Sequence, residues 1–277
     1  MSEGKASAYG QGKPPATHQL IIHGRDMEQK TVYSWARNGH MHSTRSEVHA
    51  EIPYDATEIK VKLFTFACGI VREIYLAKGA RTHPHGSYDA VLFYQIDGRR
   101  VQVVNEHSFE VNPGDVTLEP CGVLHSTHQL IGGLFIEFAL PAATQPNAEA
   151  TWMTAAQAET AHIAEWLDDG KLIRATGENA AAAPPDAARY RLRVYPLPGY
   201  TLIETTVAMG TAIPPRTCAV DQLFYVVKGK LQVSIADTRD EVVTGDAMHS
   251  LAGRGYSFTA AEDTVFLQTA IMPPPSA

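Results

Sequence analysis

Leu92-Phe-Tyr-Gln-Ile-Asp-Gly98 returns 131 positions later as Leu223-Phe-Tyr-Val-Val-Lys-Gly229. Each copy is followed by Gln-Val and then by a Gly-Asp pair, Gly114-Asp115 and Gly245-Asp246. A period this long is too great for a solenoid, so the chain reads as two copies of one domain. Both copies are apolar, aromatic and β-branched, as strands are. Around them lie further strand-like runs. Glu58-Ile-Lys-Val-Lys-Leu-Phe-Thr-Phe66 largely alternates polar with apolar, the pattern of a half-buried strand. Gly69 to Leu76, Ala90 to Ile96, Arg100 to Val104 and Gly133 to Leu140 follow, punctuated by Gly, Pro, Asn and Asp. Many short strands at close spacing predict a mainly all-β chain of sandwiches or barrels.

The pattern breaks near Pro141. Thr154 to Asp169 carries Ala, Ile, Trp and Leu at roughly helical spacing and is expected to form one helix, stopped near Gly170. A run of alanines then meets Pro184-Pro185, which reads as a linker. The expected organisation is a disordered tail over 1–18, a first barrel over 19–150, a helix and linker over 151–188, and a second barrel over 189–277.

Composition narrows the function. The 277 residues carry 23 Lys+Arg against 30 Asp+Glu, a formal charge of −7, so no nucleic-acid partner is expected. No apolar run reaches the roughly 20 residues that span a bilayer, and no membrane partner is expected. Met1 to Thr17 lacks the apolar core of a secretion signal. Cys68, Cys121 and Cys218 are odd in number and far apart, which argues against a disulfide framework and for a reducing, cytoplasmic setting. The stretch from Gln19 to Tyr54 is long enough to pack across a partner, so a homodimer is expected.

Histidines carry the chemistry. His83 and His85 are two apart, which on a strand turns both imidazoles to one face. Later comes Gly114-Asp-Val-Thr-Leu-Glu-Pro-Cys-Gly-Val-Leu-His125. Neutral imidazoles on neighbouring strands suit Fe, Zn, Cu, Ni or Mn. These two stretches resemble the paired motifs of the cupin superfamily, G-x5-H-x-H-x3,4-E-x6-G and G-x5-P-x-G-x2-H-x3-N. The second is met from Gly114 through Pro120 and Gly122 to His125, with Gln129 in the final Asn position. The first is met at His83, His85 and Gly98, with Asp89 for the Glu. Gly79 stands four positions before His83 instead of six. With the repeat, the resemblance implies a bicupin: two β-barrels of the double-stranded β-helix or jelly-roll type, joined by a short helical linker.

The resemblance implies one mononuclear metal centre of His83, His85 and His125 in the first barrel, with Asp89 as fourth ligand or water in its place. Iron is the first expectation, with Zn, Mn or Ni as alternatives. In the second copy Arg216 and Cys218 fall in the place of the two motif histidines, Gln222 in that of the acid and Tyr256 in that of the last histidine. That barrel is expected to lack a metal, and Arg216 could hold a ligand carboxylate. Tyr88, beside Asp89 and without a counterpart in the second copy, is the proton-shuttle candidate. Arg81, two before His83, could pair with an anionic substrate or simply sit at the barrel mouth in solvent. Glu73 and Glu119 are possible acid/base groups, although exposed strand carboxylates are common. The implied activity is a metal-dependent enzyme on a small molecule: an Fe(II) dioxygenase acting on a carbonyl, enol or aromatic compound, or else a non-redox lyase or isomerase, or a binding protein without turnover.

Overall fold

A computed structural model describes residues 19–37, 40–45, 56–87, 89–141 and 150–271, with backbone alone at 36, 37 and 40–45. The expected tail over 1–18 and the proton-shuttle candidate Tyr88 lie outside the described residues. In chain order the strands are β1 (Ile21–Ile22), β2 (Lys30–Arg37), β3 (His40–Arg45), β4 (Thr57–Phe66), β5 (Gly69–Leu76) and β6 (Ala90–Gln95). Next come β7 (Arg99–Val104), β8 (His107–Val111), β9 (Val116–Glu119), β10 (His125–Ile131), β11 (Gly133–Leu140) and β12 (Thr151–Met153). Then follow β13 (Glu159–Asp168), β14 (Lys171–Thr176), the short helix α1 (Glu178–Ala181), β15 (Ala188–Leu197), β16 (Tyr200–Val207) and β17 (Ala212–Thr217). The chain ends with β18 (Gln222–Lys228), β19 (Lys230–Ile235), β20 (Thr238–Val243), β21 (Ala247–Ser250), β22 (Gly255–Ala260) and β23 (Thr264–Ala270). No described helix is long and apolar enough to cross a membrane.

The chain divides into two compact units. The first comprises the described residues from 28 to 141 and from 150 to 155. Its large sheet runs β12-β9-β6-β11-β5-β4-β2-β3, and its small sheet β10-β7-β8. Residues 79–85 flank β10 through bridges Arg81↔His128 and His85↔His125, extending the small sheet. The second unit comprises the described residues 19–27 and 156–271. Its sheets run β1-β21-β18-β23-β16-β15-β13-β14 and β17-β22-β19-β20. All pairings are antiparallel, and each unit encloses its interior between a large and a small sheet.

The repeated sequence signals find physical reasons here. Gly98 (φ 71°) and Gly229 (φ 89°) turn the chain out of the two repeated strands, β6 and β18. A Cβ on Gly98 would meet Gly132 O at 2.6 Å, and one on Gly229 would meet Asp263 O at 2.4 Å. Only glycine fits either place. The Gly-Asp pairs pin a flanking strand. Buried Asp115 accepts from the backbone N–H of Asn112 (2.9 Å) and of Ala155 (2.8 Å), just past β12. Buried Asp246 accepts from Val243 N (2.9 Å), Gly24 N (2.8 Å) and His23 Nδ1 (2.8 Å), just past β1.

Three expectations are corrected. Thr154 to Asp169 is not a helix: β13 spans Glu159–Asp168 and pairs with both β14 and β15. Gly170 is not a helix stop but half of a two-residue hairpin turn. Asp169 (φ 47°) and Gly170 (φ 75°) are both left-handed, and Asp168 pairs with Lys171. Asp-Gly with both residues at positive φ is a strong hairpin signal, and it outranked the weak helical spacing. The region expected as helix and linker over 151–188 is therefore mostly sheet, with α1 its only α-helix among the described residues. Lastly, residues 19–27 do not join the first barrel. β1 pairs with β21, through Ile21↔Met248 and Ile22↔Ala247, in the second unit.

Candidate metal centre

The interior of the first unit holds a cavity of about 330 Å³. Alternation on the large sheet supplies most of its wall. Ile59 and Val61 come from β4, Ile70, Arg72, Ile74 and Leu76 from β5, Val91 and Phe93 from β6, and Phe135, Glu137 and Ala139 from β11. The small sheet and its flanking segment add Thr82, His85, His125 and Thr127, while Asp89 enters just before β6. Arg72 and Glu137 face each other across the β5–β11 register and form an ion pair.

His85 and His125 are bridge partners, exchanging backbone hydrogen bonds of 2.9 and 2.8 Å. Their ring centroids are 4.3 Å apart. Each Nδ1 lies on a backbone carbonyl two residues earlier, His85 on His83 O at 2.8 Å and His125 on Val123 O at 3.1 Å. With Nδ1–H donating, each Nε2 keeps its lone pair. Burial lowers the His85 pKa and, with the neighbouring His85 charge, drives that of His125 down to about 3. Both rings are therefore neutral at pH 7, the form that binds metals.

His83 is placed differently from the sequence expectation. Bridges Arg81↔His128 and His85↔His125 enclose three residues on one side and two on the other. The extra residue makes a β-bulge over 82–84, where Pro84 has no N–H to give the ladder. The alternation slips by one, so Thr82 lines the cavity beside His85, and neither His83 nor Arg81 does. His83 Nε2 is nonetheless buried and without a hydrogen-bond partner. Arg81 is exposed. Asp89 shares its parity with Val91 and Phe93, and all three line the cavity. Among the described residues of this unit, no three donor atoms of His, Cys, Asp or Glu lie within 4.8 Å of one another. The donor set still suits a divalent ion: two neutral imidazoles with free Nε2 atoms and a carboxylate line one cavity, and a third imidazole nitrogen, His83 Nε2, is buried and unpartnered outside its lining.

A buried polar layer backs His125. Thr127 Oγ1 donates to Gln102 Oε1 at 2.7 Å, and Gln102 Nε2 donates to Glu119 Oε1. Glu119 Oε2 lies 3.0 Å from His125 Nδ1. Arg100, 1% exposed, stacks on Phe93 and Phe135 at 5.1 and 4.4 Å. Burial pushes the Glu119 carboxyl up to about 8, while the Arg100 charge and the Gln102 hydrogen bond pull it down. Glu119, which the sequence leaves among the common exposed strand carboxylates, is fully buried. Val116-Thr-Leu-Glu119 is buried at all four positions, so strand alternation carries no signal of the burial of Glu119.

No protein-family model matches this chain, and no curated protein does. Solved structures do. AerE from Microcystis aeruginosa aligns over 78% of this chain and 93% of its own at 11% identity, with a TM-score of 0.61. A variant of oxalate decarboxylase from Bacillus subtilis aligns over 91% of this chain and 77% of its own at 13% identity, TM-score 0.60. A putative glyoxylate-induced protein from Pseudomonas aeruginosa aligns over 79% and 83% at 13% identity, TM-score 0.59. The fold is that of a bicupin. At these identities the likeness is one of fold, and function rests on the site.

The two cupin barrels can be compared pair by pair. Arg81↔His128, His85↔His125 and Val91↔Glu119 in the first match Ala212↔Thr259, Arg216↔Tyr256 and Gln222↔Ser250 in the second, at a constant offset of 131. The register corrects the sequence alignment. Arg216 stands at His85, Pro214 at His83 and Gln222 at Val91, and Cys218 falls beyond the histidine positions. The bulge recurs between Ile213 and Arg216. Where the first barrel has Thr127 and His125, the second has Phe258 and Tyr256, packed with Phe224 and Phe266 in its core. Nor does Arg216 stand ready for a ligand carboxylate. Fully buried Glu165 takes its Nη2 at 2.6 Å, and Arg174 Nε at 2.6 Å. Glu165 comes from β13, in the stretch whose apolar spacing suggests a helix.

Proposed function

We propose that the first barrel is a mononuclear metal enzyme that turns over a small carbonyl, enol or aromatic compound. One observation carries the reading: His85 and His125 meet in the cavity with both Nδ1 atoms on backbone carbonyls and both Nε2 atoms free. His85, His125 and Asp89 would hold the ion, and the orphaned His83 Nε2 is the further donor to test. Such an ion would supply Lewis acidity toward a carbonyl or enolate oxygen and, if iron, electrons for dioxygen chemistry.

The chain's own residues do the rest. Ile59, Ile70, Ile74, Phe93 and Phe135 give the substrate an apolar berth and exclude water. Thr82, Ser87 and Thr127 offer hydroxyls for its polar edge. Arg72, paired with Glu137, is the guanidinium on this wall and takes the orienting role first assigned to exposed Arg81. Tyr88, next to Asp89 in sequence, is the proton-shuttle candidate for Tyr88→Phe to test.

Two cavity histidines and one carboxylate favour iron and oxygenation, because that donor set with open positions is characteristic of non-haem Fe(II) oxygenases. Likeness to oxalate decarboxylase, a protein described with Mn(II) centres, favours the non-redox lyase reading. The experiment is anaerobic loading of the full chain with Fe(II) or Mn(II), followed by a screen of enolisable, phenolic and carboxylic compounds. Oxygen uptake with the iron form, absent in His125→Ala, supports dioxygenation. Product without oxygen uptake supports the lyase or isomerase. Saturable binding without turnover in either form overturns the enzyme reading.

A further inference from the structure

The polar layer behind His125 is unnecessary for the fold, and the molecule carries its own control. Register places Arg100, Gln102, Glu119 and Thr127 at the positions of Leu231, Val233, Ser250 and Phe258. The second barrel closes the same architecture without charge there: Leu231, Val233 and Phe258 are buried in one apolar cluster, and the small Ser250 is buried in place of Glu119. A buried guanidinium and carboxyl group are costly to desolvate, and an apolar replacement at such places is usually no worse for stability. The second barrel buries Glu165 against Arg216 elsewhere but carries no charge at these positions, so the layer in the first barrel calls for a reason in the cavity.

That reason lies at one atom. Glu119 Oε2 is 3.0 Å from His125 Nδ1, and it is buried with no aligned hydrogen bond of its own. Its other oxygen is fixed by Gln102, which Thr127 fixes in turn. We infer that Glu119 is a positioning residue for His125, sharing Nδ1–H with Val123 O so that Nε2 keeps its lone pair toward the cavity. A carboxyl group keeps an acceptor oxygen whether or not it is protonated. A carboxylate behind a ligating imidazole fixes the ring's tautomer and raises its basicity. Arg100 holds the layer in place by stacking between Phe93 and Phe135, both on the cavity wall. The inference rests on reading His125 as a metal ligand, but its first readout does not need metal.

The test uses the full chain in two variants. Glu119→Gln keeps the shape. The triple change Arg100→Leu, Gln102→Val and Glu119→Ser copies the second barrel at three of the four positions and removes the buried charges together, so it should fold where a single deletion strands a buried partner. In metal-free protein labelled with 15N-histidine, wild-type His125 (assigned by its loss in His125→Ala) should show one tautomer, protonated at Nδ1. The triple variant should show a mixture, with circular dichroism unchanged. Titration with Mn(II) or Zn(II) alone should show affinity lower by about 10- to 100-fold in both variants. An unchanged tautomer in the triple variant, or affinity within about twofold of wild type where wild type binds through His125, overturns the inference. If wild type binds neither ion through His125, the metal reading fails, and the tautomer alone decides the role of Glu119.

Discussion

Glu165→Ala should destabilise the second barrel more than any change at the arginines it holds. Its carboxylate is fully buried and bonded to Arg216 and Arg174, each at 2.6 Å. The two partners differ. Arg174 has a side chain 49% exposed, so water can take over its charge, and that pair is worth no more than about 1 kcal/mol. Arg216 is 18% exposed and its Nε is already buried without a partner. Without Glu165 it would keep only the Tyr190 hydroxyl, at 3.4 Å, and the faces of Tyr190 and Tyr256. Leaving a buried charge uncompensated costs about 3–5 kcal/mol, and that sets the expected loss. Arg216→Met leaves Glu165 with Arg174 and should cost less, while Arg174→Ala should cost under about 1 kcal/mol. Urea unfolding of the full chain, followed at Trp166 beside Glu165 in Trp35→Phe/Trp152→Phe backgrounds, measures all three. A Glu165→Ala loss below about 1 kcal/mol, or one no larger than that of Arg174→Ala, would refute the argument.

Other expectations concern the same barrel and its counterpart. Burial alone would lower the His23 pKa, but the hydrogen bonds its ring donates to Asp246 and Asp240, with their charges, raise it above 6.5. A raised folded value means His23 contributes stability that is full below pH 6.5 and is lost as pH climbs through the raised value. Denaturation midpoints of the second barrel should fall across that window, and His23→Gln should remove this part of the slope; an unaltered slope would be against it. Asp246 holds three donors and Asp115 two, so Asp246→Ala should cost about 3–5 kcal/mol and Asp115→Ala about 2–4. Equal or inverted losses in paired unfolding curves would contradict that ranking. Gly98→Ala and Gly229→Ala should both destabilise, since each Cβ would press on a carbonyl within 2.6 Å; wild-type melting of either would exclude the close approach.

The barrels themselves were readable because they are written twice. The repeat at Leu92 and Leu223 fixes two copies of one β-domain, and glycine and aspartate at matching places have matching work. What failed was local. Thr154 to Asp169 has apolar residues at mixed spacing, and its decisive feature is the Asp169-Gly170 turn, whose left-handed pair fits a hairpin and not a helix end. The pairing of β1 with β21 joins residues more than two hundred positions apart, which no local pattern announces. At the site, two-residue spacing put His83 and His85 on one face only if the strand ran unbroken. Pro84 sits in the bulge that breaks it, and Thr82 takes the inward place. Arg81 moves outward by the same slip. Glu119 was passed over because a lone strand carboxylate usually faces water. Its burial depends on Gln102 from β7 and on Arg100, partners that become neighbours only in the folded sheet.

The central claim is a metal held by His85 and His125 in the first barrel. Elemental analysis of the full chain, purified anaerobically without a metal-carrying tag, tests it directly beside His125→Ala and Arg216→His. The account predicts about one divalent metal per chain in wild type and in Arg216→His, and its loss in His125→Ala with the fold retained. Equal metal in wild type and His125→Ala, or none in either, would contradict it.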